Sequence, residues 1–570
     1  MRALFLLIFA IFTLSAMTQK EGDIEKKIDD WDYNATTKSS KNKMSRNMPM
    51  IATQAKMMSA ESIGFSVGGA KDADNFYENI KNGYLPKISS LTYEGVFYDH
   101  YFKSSYDKNC ESLFCPSYKT TSRVNPYTKQ KEHFLSVGLN SNIKAKDFAR
   151  KKLNIVVVLD ISGSMNASFD KYYYDNKKNT NNQEQTSKMQ IANRSLVSMI
   201  DHLKDEDRLG VVLFDNDAYL AKPLRLIKNT KIDATKKHIL ELKSKGGTNW
   251  SDGYKKGLDQ FQTIKSSFKD PKIYENRVIF LTDAMPNRGE LSSDGLFGLV
   301  KSASEKGVYT TFIGIGVDFN SDLVESISKT KGANYFAVHS DEEFSKRLDE
   351  EFDFMVTPLV FDLALRVEGD TKIEAIYGSP EANLATKEIM YVNTLFPSPT
   401  KSGEVKGGVI LLKVDNTKDL TLKVTYKDRE GKSYEVKEKI SFKEDKDEAL
   451  QKAILLSDYV TLLQNWMLDM REGCQDKVIQ NEELIPYKRS MLFPPSRPNF
   501  KMLKTWERKS CELRVSEGYK KLLSLFKRDF KDRALEFKND KFEKELDALS
   551  TLLLRKKVED KIIDDWQSKR

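Results

Sequence analysis

The chain has 570 residues, which is too long for one ordinary domain and predicts about two to four of them. Hydrophobic residues make up 39% and charged residues 31%, a composition that is typical of globular proteins and excludes a chain that is disordered throughout. The net charge of +9 is small for this length, and the sequence has neither a long basic block nor a basic stripe interleaved with aromatic residues, which argues against nucleic-acid binding.

The first sixteen residues have the pattern of a secretory signal peptide. A short positive start, Met1-Arg2, precedes an apolar run over residues 3–14 and the small pair Ser15-Ala16. The apolar run is shorter than the roughly 20 residues of a membrane-spanning helix, and no later stretch is long and apolar enough to be one. We therefore expect a secreted, periplasmic or cell-surface protein, with an uncleaved anchor as the alternative.

Four cysteines favour two disulfides, since their number is even and the chain is expected to be exported. The spacing favours Cys110 with Cys115 and Cys474 with Cys511. None of them has the C-x-x-C spacing of a zinc site. Free buried thiols are the alternative interpretation.

The region before the first long apolar strand divides into two parts. Residues 17–62 are polar and lack periodicity, which predicts a disordered linker. Residues 63–150 are mixed and are expected to contribute strands to a β-domain. Within them we predict a helix over residues 72–82 and strands over residues 91–97 and 133–139.

Residues 151–356 alternate apolar runs with amphipathic stretches. Strands are predicted over residues 153–159, 208–214, 277–281 and 309–315. Helices are predicted over residues 187–203, 234–245, 250–265, 296–306, 322–330 and 341–354. Such alternation predicts an α/β domain with a doubly wound, mostly parallel sheet covered on both faces.

The helical signal disappears over residues 357–443 and returns over residues 444–570. Strands are predicted over residues 360–367, 373–377, 409–414, 420–426 and 434–440. They indicate an antiparallel, β-sandwich-like domain. If it also takes strands from residues 90–140, the α/β domain is an insertion in it; two separate β-units are the alternative.

The C-terminal region carries apolar residues at three- and four-residue spacing over residues 449–470 and 519–555, which predicts helices. Both stretches are highly charged. We expect these helices either to pack on the β-domain or to form a partner surface.

Three separated segments bring oxygen-bearing side chains to the carboxyl ends of the α/β strands, where ligands bind in open sheets of this kind. The first strand ends in Asp160-Ile161-Ser162-Gly163-Ser164, in which Gly163 allows the loop to curl. A Gly-Gly-Thr-Asn loop adds Thr248, and the strand over residues 277–281 leads into Asp283. Carboxylate and hydroxyl oxygens are hard ligands that suit Mg²⁺, Mn²⁺ or Ca²⁺.

In this order and spacing, the three segments resemble the metal-ion-dependent adhesion site of von Willebrand factor type A domains, which have a Rossmann-like fold. The resemblance covers about 200 residues and implies a metal site made of Asp160, Ser162, Ser164, Thr248 and Asp283. It implies that the serines, and often the threonine, coordinate directly and that the aspartates act through water, with Mg²⁺ favoured over Mn²⁺ and Ca²⁺. The type A domain of inter-α-trypsin inhibitor heavy chains shares the Gly-Gly-Thr-Asn loop.

A second resemblance lies upstream. Residues 65–87 and 125–138 are similar to the corresponding region of bacterial secreted proteins described as calcium-activated chloride channel homologues. Channel activity does not follow from it, because the sequence contains no pore-forming segment.

The expected function is metal-dependent binding. Two carboxylates and three neutral hydroxyls would leave a divalent ion with an open position that attracts an Asp or Glu carboxylate of a protein partner. We therefore expect an exported, non-enzymatic adhesion or ligand-binding protein. The alternative is a scaffolding subunit that assembles a cell-envelope complex through the same site. An enzyme is the third reading, but no base or nucleophile near the site supports it.

Overall fold

The computed structural model describes most of the chain from residue 27 to residue 558. The described residues are 27–34, 62–67, 73–103, 112–125, 129–144, 148–168, 170, 186–283, 293–317, 329–340, 348, 351–379, 382–383, 385–401, 403–415, 420–482, 510–537, 542–555 and 557–558. The predicted signal peptide at residues 1–16 lies outside them.

A six-stranded sheet forms the centre of the α/β domain. Its strands are β5 (Lys152–Asp160), β6 (Arg208–Phe214), β7 (Ala218–Leu226), β8 (Tyr274–Thr282), β9 (Val308–Ile315) and β10 (Asn334–Val338). The order is β10-β9-β8-β5-β6-β7; the first five strands are parallel and β7 is an antiparallel edge.

Side chains of β5 alternate between two apolar cores on the two faces of this sheet. Ile155 and Val157 face the core that includes helix α3 (Lys188–Ile200), and Val156 and Val158 face the core that includes helix α5 (Trp250–Gln260). The other helices of the domain are α4 (Ile232–Leu240), α6 (Ser293–Glu305) and the short α7 (Phe352–Met355). The predicted doubly wound, mostly parallel fold is therefore confirmed.

The four predicted strands of this domain are present, and the structure adds β7 and β10. Both additions lie at the edges of the sheet, where part of the strand faces solvent or a neighbouring element and the apolar run is shorter or interrupted. Most of the helix predicted over residues 322–330 and most of that predicted over residues 341–354 lie outside the described residues; residues 329–330 are described and are not helical.

A nine-stranded antiparallel sheet forms the β-domain. Three of its strands precede the α/β domain, namely β1 (Ser62–Val67), β3 (Phe114–Val124) and β4 (Lys131–Lys144). The others follow it: β11 (Val360–Glu368), β12 (Ile373–Tyr377), β13 (Glu388–Ser398), β16 (Val409–Val414), β17 (Leu420–Lys427) and β18 (Ser433–Ile440). The order is β12-β16-β4-β1-β13-β11-β17-β18, with β3 also paired to β4.

Strand β4 pairs with β1, β3 and β16, so the sheet branches there and its layers enclose one apolar core. Strands from both sides of the α/β domain thus share a single sheet. The α/β domain is an insertion in this sandwich-like domain.

The prediction of a strand over residues 91–97 is wrong, because helix α2 (Tyr93–Asp99) occupies this segment. The segment is rich in aromatic and β-branched residues, which favours a strand locally. The hydroxyl of Thr92 instead caps the helix by accepting a hydrogen bond from the Gly95 N–H at 3.0 Å. Burial of Val96 and Phe97 against other helices then decides the outcome.

The C-terminal helices pack with the N-terminal ones in a helical module. Helix α1 (Asp74–Lys81) and α2 share an apolar core with α8 (Glu448–Glu482), α9 (Glu517–Ala534) and α10 (Glu543–Leu554). Trp466, Phe530 and Leu549 are fully buried there. Short strands complete the fold: β2 (Tyr101–Lys103), β14 (Thr400–Lys401) and β15 (Glu404–Lys406) form one small sheet, and β19 (Val515–Ser516) pairs with β20 (Lys557–Val558).

Residues 27–34 correct part of the predicted linker over residues 17–62. They lie against the α/β domain, where Ile28 bridges to Thr230 and Trp31 and Tyr33 pack on the apolar core. Polar composition suggested a linker, but the aromatic residues within this short segment anchor it.

Of the four cysteines, only Cys511 has a described side chain. It is buried and is not a free thiol. The side chains of Cys110, Cys115 and Cys474 lie outside the described residues, so the pairings stay predictions. Among the helices that the structure describes, none has an apolar stretch long enough to cross a membrane.

Candidate metal site

Asp160 is the last residue of β5, and its carboxylate organises the loop that follows. Oδ1 accepts a hydrogen bond from the Ser162 N–H at 2.8 Å, and Oδ2 accepts one from the Thr282 hydroxyl on β8 at 2.7 Å. A short 3₁₀ helix over Gly163–Asn166 then turns the chain so that the hydroxyls of Ser162 and Ser164 lie 2.9 Å apart. The predicted Asp-x-Ser-x-Ser loop therefore brings its three oxygen-bearing side chains together, all of them buried.

The loop that carries Thr248 lies directly against this turn. The Gly163 N–H donates to the Gly246 carbonyl at 3.0 Å, and the Lys245 N–H donates to the Ile161 carbonyl at 2.6 Å. Gly246 has a φ of +72°, and a Cβ there would lie 3.1 Å from the Asp215 side chain, so glycine suits this position. Thr248 itself is 2% exposed, and helix α5 begins two residues later.

Asp283 follows β8 and completes the set of five residues predicted from the sequence. It is fully buried, and its Oδ1 atom has no hydrogen-bond partner among the described residues. Its Oδ2 atom lies 3.3 Å from Nζ of Lys188, the first residue of α3. A buried carboxylate oxygen that lacks a partner is rare in proteins and indicates a place for a ligand.

Lys188 is a site residue that sequence reasoning missed. Its side chain is fully buried and extends from the start of α3 to the Asp283 carboxylate. The helix begins there because Ser187 and Gln190 form a capping box. That capping signal is visible in the sequence, but nothing in the sequence shows that the lysine points inward and not into solvent.

Asp160 and Asp283 place two buried carboxylates in the site, and the buried Lys188 offsets one of the two negative charges. Burial and the neighbouring charge of Asp283 raise the pKa of Asp160 to about 7, although hydrogen bonds from Ser162 and Thr282 work in the opposite direction. A divalent cation would supply the missing charge. The donor set of two carboxylates and three hydroxyls therefore fits a hard divalent ion.

No cluster of three or more His, Cys, Asp or Glu side chains suitable for a metal occurs among the described residues. The candidate site differs from such a cluster because three of its five donors are hydroxyls.

An open cavity of about 1140 Å³ lies beside the loop that follows β5. Its lining includes Gly163, Asn166 and Ser187 near the Asp-x-Ser-x-Ser loop, and also Trp31 and His238. Trp31 lies within residues 17–62, for which the sequence predicts a linker. The one signal that could have found it is the aromatic and acidic run Asp29-Asp30-Trp31-Asp32-Tyr33 in otherwise polar surroundings.

Residues 154–350 match the family model of the von Willebrand factor type A domain. This part of the chain is a von Willebrand factor type A domain. The match begins in β5 and contains all five predicted site residues. Domains of this family typically mediate protein–protein binding through a metal site.

The following similar proteins each align with part of this chain. Inter-alpha-trypsin inhibitor heavy chain H3 of Rattus norvegicus is 22% identical over 215 residues, which is 37% of this chain and 22% of that protein. The chain thus spans about a fifth of the length of this relative. An uncharacterized protein of Synechocystis is 27% identical over 186 residues, covering 32% of this chain and 37% of that protein. A solved von Willebrand factor type A structure from Catenulispora acidiphila aligns with 15% identity and a TM-score of 0.36, covering 63% of this chain and 82% of that chain.

Proposed function

We propose that the type A domain binds a divalent cation, with Mg²⁺ favoured over Mn²⁺ and Ca²⁺, through Asp160, Ser162, Ser164, Thr248 and Asp283. The observation that supports this proposal is the buried Oδ1 of Asp283, which has no hydrogen-bond partner among the described residues, next to a second buried carboxylate whose pKa is raised. A bound ion would supply an electrophilic centre for an incoming carboxylate. The chain's own residues prepare that role by holding neutral hydroxyls and two carboxylates at one edge of the sheet.

The charge balance favours an acidic partner. Asp160 and Asp283 contribute two negative charges when ionised, and the buried Lys188 contributes one positive charge. Adding a divalent ion makes the site net positive by one unit. A buried positive charge next to an open cavity attracts an anion, so we infer a protein ligand that presents an Asp or Glu side chain.

The proposed role is therefore that of an exported, non-enzymatic binding protein. The name of the rat relative describes a heavy chain of an inhibitor, which supports binding over catalysis. The alternative role, a scaffolding subunit of a cell-envelope complex, would use the same metal site with a partner from its own assembly. Affinity capture in Mg²⁺ and in chelator separates the two: a foreign ligand supports adhesion, and a partner encoded with the protein supports scaffolding.

Isothermal titration of the full chain with Mg²⁺, Mn²⁺ and Ca²⁺ tests the metal site. We expect one ion per chain, and binding should be lost when both Ser162 and Ser164 are changed to alanine. Ser198→Ala is the matched control, because this serine is exposed on α3. Mg²⁺ binding that persists at full strength in the double variant would overturn the proposal.

The open coordination position can be tested with Tb³⁺ as a luminescent probe that binds hard oxygen ligands. Acetate should lengthen the luminescence lifetime of the bound ion by displacing water, whereas acetamide, which has the same size but no charge, should not. Equal responses to the two compounds would contradict a carboxylate-binding role while leaving the metal site itself intact.

A further inference from the structure

The segment Ile28-Asp29-Asp30-Trp31 lies along the outer edge of the type A domain, next to β7 and α4. The Ile28 N–H donates to the Asn229 carbonyl at 3.1 Å, and the Ile28 carbonyl accepts from the Lys231 N–H at 2.8 Å. Further along, the Asp32 N–H donates to the Ala221 carbonyl at 2.8 Å. The segment therefore docks as an added peptide would, through main-chain hydrogen bonds to an exposed edge. We name this edge the β7–α4 groove.

The side chains of the segment have their own partners in the groove. The Asp30 carboxylate pairs with Lys222 Nζ at 3.2 Å and with Arg225 Nε at 2.9 Å. Asp30 is 8% exposed and Lys222 is fully buried, so this contact is screened little by solvent.

The neighbouring residues use His238 on α4. The Asp29 carboxylate lies 3.1 Å from His238 Nε2, and the Trp31 ring stacks on the imidazole with centroids 5.3 Å apart and planes at 12°. The groove thus offers a basic surface to two consecutive carboxylates and an aromatic face to the tryptophan that follows them.

The same four residues occur a second time in the chain. Residues 563–566 are Ile563-Asp564-Asp565-Trp566, and they lie outside the described residues. The chain has only five tryptophans, and two of them follow Ile-Asp-Asp. Each position of this tetrapeptide makes a contact in the groove when residues 28–31 occupy it. Residues 563–566 have the same side chains in the same order, and therefore offer the same groups for these contacts.

We propose that the β7–α4 groove is a recognition site for the Ile-Asp-Asp-Trp sequence, and that Ile563–Trp566 of a second copy of this chain binds there in exchange for residues 28–31. Such exchange links one copy to the next through an identical contact, as in domain swapping. The proposal is independent of the metal site.

Distance favours a second copy over the chain's own residues 563–566. The helical module that carries β20 contacts the type A domain at the turn after β9, where the Asn75 side chain donates to the Gly316 carbonyl at 3.2 Å. Strand β9 is four strands away from β7, roughly 19 Å across the sheet, and Thr230 beside Ile28 lies at the opposite end of the strands. The five residues from Val558 to Ile563 span at most about 18 Å.

The flanking residues favour the N-terminal segment within one chain. Tyr33 packs on Tyr219 with ring centroids 5.3 Å apart, and Lys245 Nζ lies 5.4 Å from the Tyr33 ring centroid. The corresponding position after the second motif is Ser568, which has no ring. We therefore expect residues 28–34 to occupy the groove in an isolated molecule and the second motif to enter when they are displaced or weakened.

A labelled peptide of residues 561–570, measured by fluorescence anisotropy, tests the recognition. It should bind the full-length double variant Asp30→Ala, Trp31→Ala at least tenfold more tightly than the wild-type chain, because the competing segment no longer holds the groove. Adding Arg225→Ala to that variant, or replacing Asp565 and Trp566 by alanine in the peptide, should remove the gain. Asp32→Ala is the matched control, because the described contact of Asp32 is made by its backbone N–H.

Sedimentation tests the exchange between copies. The variant Asp30→Ala, Trp31→Ala should associate as its concentration rises, and the further change Asp565→Ala, Trp566→Ala should restore the monomer. Equal affinity of the peptide for the double variant and for the triple variant that also carries Arg225→Ala would overturn the proposed recognition. A monomer at all concentrations would show that the second motif does not link copies and would equally overturn the proposed exchange.

Discussion

The two ends of strand β8 bury charge in opposite ways. At the amino end, Glu275 and Arg277 form an ion pair with Arg277 Nη2 2.8 Å from Glu275 Oε1, and Arg429 of the β-domain reaches the same carboxylate at 3.4 Å. At the carboxyl end, Asp283 lies near Asp160, and the ion pair that the described residues give it is the longer contact to Lys188 at 3.3 Å. Both ends are buried to a similar degree.

Both terminal nitrogens of Arg277 at the paired end donate hydrogen bonds, but its buried Nε has no partner among the described residues. Arg277 Nη1 donates to the Thr311 hydroxyl at 3.0 Å and to the Gly332 carbonyl at 3.1 Å. The rings of Tyr309 and Phe396 lie within 6 Å of the guanidinium carbon. Because Phe396 and Arg429 belong to the β-domain, this end of the strand holds the two domains together.

The two ends of β8 therefore differ in role: the amino end supports domain packing, and the carboxyl end belongs to the candidate site. At the amino end, the buried charges of Glu275, Arg277 and Arg429 are paired and contribute to domain packing. At the carboxyl end, the buried carboxylates of Asp160 and Asp283 raise each other's free energy when both are ionised, and Lys188 contacts Asp283; this imbalance is the basis of the proposed cation site.

Arg277→Ala should destabilise the folded protein by about 3–5 kcal/mol, because it leaves the Glu275 carboxylate buried with a weaker partner. Chemical denaturation measures the free energy of unfolding, and Mg²⁺ should not restore the loss. Arg366→Ala, which removes an exposed arginine paired with Glu388, is the control and should change stability by less than about 1 kcal/mol. Equal effects of the two changes would contradict the structural role of the paired end.

Asp160→Asn should weaken Mg²⁺ binding by about 100-fold, or ~2.7 kcal/mol, while the fold is retained. The amide keeps the shape of the carboxylate but removes one of the two charges that attract the ion. Titration calorimetry measures the affinity, and circular dichroism checks the fold. Unchanged Mg²⁺ affinity would remove Asp160 from the site.

In chelator, the wild-type protein should lose stability as the pH rises from about 4 to above 7. The pKa of Asp160 is raised to about 7 in the folded state, so the folded protein binds more protons than the unfolded chain in this range, and stability falls with pH. Asp160→Asn should lack this loss and be more stable than wild type at pH 8 by an amount on the order of 2 kcal/mol. Thermal melts at several pH values, with and without Mg²⁺, measure it; saturating Mg²⁺ should cancel the advantage of the variant, and parallel pH profiles in chelator would contradict the account.

Lys188→Met should tighten Mg²⁺ binding by about tenfold, or ~1.4 kcal/mol, because it removes the buried ammonium that competes for Asp283. The same variant should bind carboxylate ligands of the loaded site more weakly, since the net positive charge falls. Lys237→Met, on α4, is the matched control. Weaker Mg²⁺ binding by Lys188→Met would show that the lysine supports the metal site.

How much could be predicted from the sequence differs between regions for a physical reason. The strands of the type A domain could be predicted because β5, β6 and β8 are covered on both faces and therefore read as continuous apolar runs. The candidate site residues could be identified because each lies at the end of a strand, in the loop after a strand or just before a helix, where a short motif determines the local path. Strand β13 was missed, since Asn393 and Pro397 interrupt its apolar pattern and its pairing with β1 and β11 joins residues that are distant in the sequence.

The α/β fold of the type A domain could be predicted from the amino-acid sequence, and the five candidate residues could be proposed from it, because periodicity and local motifs carry that information within a few residues. Three features depend on the folded chain: the helix at Tyr93–Asp99, the inward direction of the Lys188 side chain, and the docking of residues 28–31 beside β7. Each of these depends on contacts with partners tens or hundreds of residues away. The free energy of such contacts is gained only when the whole fold assembles, and therefore no local pattern displays it.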